Sequence, residues 1–293
     1  MMKKIKISDH GFYELQIESY AACNMACGFC PYPLKEDKTS KLPDDNIKNI
    51  LDQIDPSDEK LKYVTFSQFN EPLLDSRIFK HIEYAQKSGF KVLVVTNGLL
   101  LNKEKNINEL LRLKPMMKIS LQVIEDSSHK DARGINLELS KYATTIFNFL
   151  ELAKDKDINI TVDLGCNFSD SKIGLAFKKL FGLQTGDPSV SSDKEKLFTQ
   201  FKYFISQILE RKKQFTESKS VEKIMEMIKN NLEKNEINPG NYNDKKGIFI
   251  YDKINLKFKP FIYGKRIRDF YPVSDSFSCK SSILGILADG NVV

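Results

Sequence analysis

An α/β fold, a partial (β/α)6 TIM-like barrel, is predicted by three observations. Apolar runs of strand character alternate with runs of helical period up to about residue 165. Four of those strands carry polar residues on one face only. A tight group of cysteines follows the first strand directly. Strands alternating with helices imply parallel βαβ units, and five or more in series suggest a full or partial barrel.

The elements follow in order. FYELQIES (12–19) reads as strand one and runs into the cysteine loop. Residues 43–54 read as a helix with Ile47, Ile50, Leu51 and Ile54 on one face. KYVTFS is strand two. Residues 76–87 form the next helix, with Ser76 as its N-cap and Gly89 as its stop. KVLVVT is strand three. Asn102 caps a helix carrying Ile107, Leu110 and Leu111, and Pro115 ends it. MKISLQV is strand four, 137–154 a long helix, and INITVDLG strand five.

Regularity weakens after Cys166, itself read as a buried small hydrophobe. Residues 189–195 read as a polar loop, and 197–213 and 221–234 as amphipathic helices. NPGNYNDKKG (238–247) is turn chemistry, and INLKFKPFIYG reads as a sixth strand. The terminal ILADGNVV has an Asp-Gly between apolar runs, a hairpin signal. The expected division is a core of 1–262, with a helical insertion at about 193–235, and a C-terminal segment of 263–293.

Side chains alternate across a strand. Gln16 and Glu18 oppose Leu15 and Ile17; Thr65 and Ser67 oppose Val64 and Phe66. Ser120 and Gln122 oppose Ile119, Leu121 and Val123; Thr161 and Asp163 oppose Ile160, Val162 and Leu164. Buried parallel strands are ordinarily apolar on both faces. Polar faces on four of them point to an interior that holds a polar ligand, or to edge strands wetted by solvent.

Composition narrows the class. The chain has 293 residues, 41% of them hydrophobic, as expected of a globular protein. Its net charge of +6 comes mostly from dispersed lysines. Arginine, the usual residue for bidentate phosphate recognition, is scarce, which argues against a nucleic-acid face. The basic N-terminus lacks an apolar stretch after it, and the longest apolar run (92–101) is too short and too interrupted to span a bilayer. The chain therefore reads as cytoplasmic, with no membrane partner. Five cysteines, three of them crowded together, argue against a secreted disulfide framework.

The crowded three are Cys23, Cys27 and Cys30, spaced C-x3-C-x2-C in CNMACGFC. Soft thiolates select iron–sulfur clusters or zinc. A four-iron cluster normally takes one cysteine per iron, so three local ligands leave one iron open to a substrate. A zinc site would need a fourth ligand from elsewhere. His10, His81 and His129 are the only histidines, and none stands at zinc-finger spacing from a cysteine.

CNMACGFC resembles the signature of the radical S-adenosylmethionine (radical SAM) superfamily, including the aromatic Phe29 before the last cysteine. The position after strand one and the order of later elements are similar too, over roughly residues 12–165. The resemblance implies a [4Fe-4S] cluster held by Cys23, Cys27 and Cys30. It implies S-adenosylmethionine chelating the fourth iron, reductive cleavage to a 5′-deoxyadenosyl radical, and hydrogen-atom abstraction from a substrate. It also implies an electron donor of flavodoxin or ferredoxin type.

FSQFNEPLLD (66–75) resembles the superfamily's glycine-rich Gly-Glu-Pro motif, which holds the cofactor's amino group. Glu71 and Pro72 match it, while Gln68 and Asn70 stand where glycines are common. Asn70 tolerates left-handed backbone and is expected to keep the turn that way. By the same analogy Ser120 is a contact to the cofactor carboxylate or ribose, and Asp163 to a ribose hydroxyl. Thr96-Asn97-Gly98 is similar to a frequent TNG at the end of strand three; it is assigned no ligand. Arg133 in DARGIN reads equally as a cofactor-carboxylate contact or a surface pair.

FSCKSSILGILADGNVV resembles the start of a SPASM module, an auxiliary-cluster extension, with Cys279 as its first cysteine. The further cysteines of that module do not follow, so one cluster is expected. The functional expectation is a radical SAM enzyme acting on a sugar or polysaccharide precursor or on a peptide. The alternatives are a non-enzymatic iron–sulfur or zinc protein and a degenerate radical SAM fragment.

Overall fold

The computed structural model describes residues 4–27, 30–122, 133–136, 138–167, 248–251, 253–261 and 283–292. The helices expected at 197–213 and 221–234, the loops beside them, and Cys279 lie outside the described residues.

Eight strands form one sheet: β1 (Glu14–Ile17), β2 (Tyr63–Thr65), β3 (Val92–Thr96), β4 (Met116–Gln122), β5 (Ile160–Asn167), β6 (Ile248–Tyr251), β7 (Ile254–Phe261) and β8 (Ile283–Ile286). Their order is β6-β7-β5-β4-β3-β2-β1-β8. The six strands read from the sequence are β1 to β5 and β7. They lie side by side in chain order and all pair in parallel. This is the α/β arrangement of a partial (β/α)6 barrel.

Four described helices connect them: α1 (Asp44–Gln53), α2 (Ile78–Lys87), α3 (Glu104–Leu113) and α4 (Leu139–Ala153). The apolar strand faces, including Leu15, Ile17, Val64, Val94, Ile119 and Val162, are each 2% exposed or less. They cluster with Ile47 and Leu51 of α1, Ile78 and Ile82 of α2, Leu110 of α3, and Ile146 and Phe149 of α4. Each such side chain contributes roughly 1.5–3 kcal/mol by leaving water.

Two expected caps are corrected. Arg77, not Ser76, precedes α2, and it has no side-chain cap bond; its amide donates instead to Asp75 Oδ1 at 3.0 Å. Lys103, not Asn102, precedes α3. Gly89 does stop α2, at φ +94°.

Two strands lie outside the six: β6 was not read from the sequence, and β8 is the apolar run before the expected Asp-Gly hairpin, whose Ile286 bridges Val292 in antiparallel fashion. β6 runs antiparallel along β7, made by an apolar tetrapeptide too short to carry a period. β8 pairs in parallel with β1 at the other edge. The Asp-Gly turn follows it: Leu287 N–H donates to Asn291 O at 2.8 Å, and Gly290 has φ +89°. Glu18 Oε2 accepts from Ala288 N at 3.2 Å and from Lys35 Nζ, so the segment after β8 is tied to the end of β1.

Strand register settles which face is polar. Gln16 pairs with Thr65, Lys118 with Thr161, and Ser120 with Asp163. Polar residues of neighbouring strands therefore lie side by side on the face opposite the apolar cluster.

Candidate active site

The cysteine loop joins β1 to α1 at the C-terminal edge of the sheet. Its path is fixed by backbone bonds: Ala21 N to Ser40 O at 2.9 Å, Ala26 N to Arg133 O at 3.2 Å, and Cys30 N to Cys27 O at 3.1 Å. Cys27 is buried, and Cys23 and Cys30 are half-buried; all three are free thiols. Gly28 and Phe29 lie outside the described residues. Burial pushes all three thiols up, Cys23 to about 12. Cys27 and Cys30 raise Cys23 further, and Cys27 raises Cys30. The Arg133 cation pulls Cys27 and Cys30 the other way. Tyr32 N–H donates to Cys30 Sγ at 3.4 Å and Asn97 Nδ2 to Cys23 Sγ at 3.9 Å.

Glu71 lies in the loop after β2 and is 1% exposed. Its Oε1 accepts from Leu73 N–H at 3.1 Å and Thr96 Oγ1 at 2.7 Å, and its Oε2 from Asn97 N–H at 2.7 Å. One carboxylate thus ties the β2 loop to the TNG turn after β3. Burial outweighs these bonds and pushes Glu71 up to about 7.

Asn70 keeps its turn by a route other than the one expected. It is not among the residues of positive φ. Its Oδ1 accepts from Gln68 N–H at 2.9 Å and its Nδ2 donates to Phe66 O at 3.2 Å. The side chain replaces the backbone freedom of a glycine with two hydrogen bonds. Gln68 is accommodated by a glycine elsewhere: a Cβ on Gly285 of β8 would lie 2.5 Å from the Gln68 amide.

Of the residues that join these parts, sequence reasoning gave no role to Asn97, Gly98 and Tyr142, and read Arg133 as a cofactor-carboxylate contact or a surface pair. Asn97 Nδ2 donates to Asn24 Oδ1 at 2.7 Å, linking the TNG turn to the cysteine loop. Gly98 at φ +84° lets that turn press on Ile119 and Ile146. The Tyr142 hydroxyl bonds Asn97 O and, at 3.0 Å, Ser120 O. Arg133 is 2% exposed, so the surface-pair alternative fails; its Nη2 donates to Ser120 O at 2.9 Å and the Tyr142 hydroxyl at 3.0 Å. Glu71, Asn97, Tyr142, Ser120 and Arg133 form one connected network that touches the cysteine loop at Asn24, Cys23 and Ala26. Ser120 and Asp163 are register partners on the polar face, and Asp163 is buried. The available signals were the rarity of arginine and a TNG placed at a strand end.

Three buried or half-buried thiols on one loop, with N–H donors and a buried cation near them, fit an iron–sulfur cluster. Among the described residues no three His, Cys, Asp or Glu side chains converge as around a single metal ion. A four-iron cluster makes a different demand, since each cysteine holds its own iron. Among the described residues no helix is long and apolar enough to cross a membrane.

Comparison with known proteins follows from this geometry. The family profile of the radical SAM superfamily matches residues 17–180. An uncharacterized protein of Methanocaldococcus jannaschii, MJ0804, is 32% identical over 139 residues. The match takes in 47% of this chain and 42% of that protein, so the chain spans less than half the length of this curated relative. Among solved structures, Streptococcus suis SuiB bound to S-adenosylmethionine is 15% identical, with a TM-score of 0.49 over 98% of this chain and 62% of SuiB. BtrN in complex with AdoMet and 2-DOIA is 21% identical, with a TM-score of 0.33 over 41% of this chain and 47% of BtrN.

Proposed function

Because this chain belongs to the radical SAM superfamily, we propose that Cys23, Cys27 and Cys30 hold a [4Fe-4S] cluster whose fourth iron takes S-adenosylmethionine. When bound, the pair supplies reductive cleavage to a 5′-deoxyadenosyl radical, which removes a hydrogen atom from the substrate. The chain's own residues do the rest. Met25 and Cys27, buried within the cysteine loop, limit water at the site. Glu71 receives the cofactor's amino group while holding the TNG turn in place, and Asn70 shapes the loop that carries Glu71. Ser120 and Asp163, adjacent on the polar face, hold its carboxylate and ribose hydroxyls. An electron donor of flavodoxin or ferredoxin type docks near the cysteine loop.

The polar inner face of β1, β2, β4 and β5 favours a polar substrate: a sugar, a polysaccharide precursor or a peptide. We keep the division into a core of 1–262 and a C-terminal, SPASM-like segment of 263–293, whose strand β8 lies beside β1.

One observation carries this reading: three buried or half-buried thiols on the loop after β1, a loop that Asn97 joins to Glu71 through Cys23 and Asn24. Anaerobic reconstitution with iron and sulfide, then reduction with S-adenosylmethionine present, tests it. The expected results are about four irons per chain and release of 5′-deoxyadenosine. A reduced cluster that never cleaves the cofactor favours an electron carrier; zinc in anaerobically prepared protein favours a scaffold. Cys27→Ala is expected to abolish cluster assembly, and unchanged iron content and visible absorbance in that variant would contradict the assignment.

A further inference from the structure

We infer that Arg133 is a positioning residue that braces the cysteine loop at Ala26 and, by its fixed positive charge, makes the cluster easier to reduce. The inference rests on the cluster assignment above.

Two backbone observations place Arg133 against the loop. Arg133 O accepts from Ala26 N–H at 3.2 Å, one residue before Cys27. Its neighbour Gly134, at φ +62°, is pressed so close that a Cβ there would stand 2.3 Å from Ala26 O. The side chain is held as firmly as the backbone: Nη2 donates to Ser120 O and to the Tyr142 hydroxyl, and the residue is 2% exposed. The Tyr142 hydroxyl that Nη2 reaches also bonds Asn97 O, and Asn97 Nδ2 donates to Cys23 Sγ at 3.9 Å, so the guanidinium stands two short links from a cluster thiol.

A buried charge acts over several ångströms because little solvent screens it. Adding an electron to a cluster held by three thiolates adds negative charge. A fixed cation nearby favours that more negative state, so burial and local charge together set the potential. Arginine suits the task because its guanidinium does not lose its proton under working conditions.

The test is an EPR-monitored redox titration of the reconstituted cluster in wild type, Arg133→Lys, Arg133→Gln and Arg133→Met. Potentials are compared only among proteins of equal iron content. In Gln and Met the ratio of reduced to oxidised cluster, at the wild-type midpoint, is expected to fall about tenfold, or 59 mV for one electron. Lys, which keeps the charge but loses the planar fork, is expected to stay near wild type. If both neutral variants hold no iron while Lys does, the charge serves cluster assembly and the redox inference is overturned. Neutral variants that hold iron at the wild-type potential overturn the inference. So does loss of iron in all three, which marks a purely structural residue. Wild-type protein that takes up no cluster overturns the cluster assignment itself, a result distinct from these.

Discussion

Glu71 gives the sharpest test of how the site is held. Its carboxyl is buried, and its pKa rises from 4.5 to about 7 because burial penalises the charged form more than three hydrogen bonds relieve it. Between those values the native protein keeps a proton that the unfolded chain has released. The stability tied to that proton is present at the acid end and is lost as pH rises through the window. At 1.36 kcal/mol per pH unit, the ionisation penalty is about 1.4 kcal/mol near pH 5.5 and about 3.4 kcal/mol near pH 8.5. Glu71→Ala removes this penalty along with the acceptors. The Thr96 hydroxyl can rotate to another partner, but the Leu73 and Asn97 amides cannot. Two stranded buried N–H groups put the loss at about 3 kcal/mol near pH 5.5. Near pH 8.5 the loss shrinks to about 1 kcal/mol, because the wild type already carries about 2 kcal/mol more penalty there. Urea unfolding of both proteins, prepared without added iron at the two pH values, measures the difference. A loss independent of pH, or larger at the basic end, refutes the argument that burial dominates at Glu71.

Other expectations concern the frame around the site. Arg77 bonds Asp75 at 2.9 Å, Asp44 at 2.7 Å, and the carbonyls of Ser19 and Leu42. Arg77→Met leaves the buried Asp75 carboxylate without its cation and should cost about 3 kcal/mol in urea unfolding; a loss under about 0.5 kcal/mol would mean the pair behaves as a surface bridge. Gly285→Ala drives a methyl into the Gln68 amide and should cost about 1–3 kcal/mol. Adding Gln68→Ala should restore most of that, and thermal melts showing simple additivity would sink the idea that the two positions are complementary.

Much of this was legible because it depends on near neighbours in the chain. Alternation of period two in QIE, ISLQ and TVD marks polar and apolar faces whatever the strands pair with, and register later set those polar residues side by side. Cysteine spacing within eight residues marks a shared loop before any fold is known. Asn70 shows the boundary: the turn was legible, but its means was not. Side-chain bonds to Gln68 and Phe66, and not a left-handed backbone, hold it.

What the chain determines alone is therefore its periodicities and its local ligand set, since each is decided within a few residues. Only the folded molecule decides that Gln68 rests on Gly285, that β8 lines the free edge of β1, and that Arg133 lies buried against the cysteine loop. Those pairings join residues from about a hundred to more than two hundred positions apart, where no sequence period reaches and only the burial of apolar faces and the satisfaction of buried donors choose the partner.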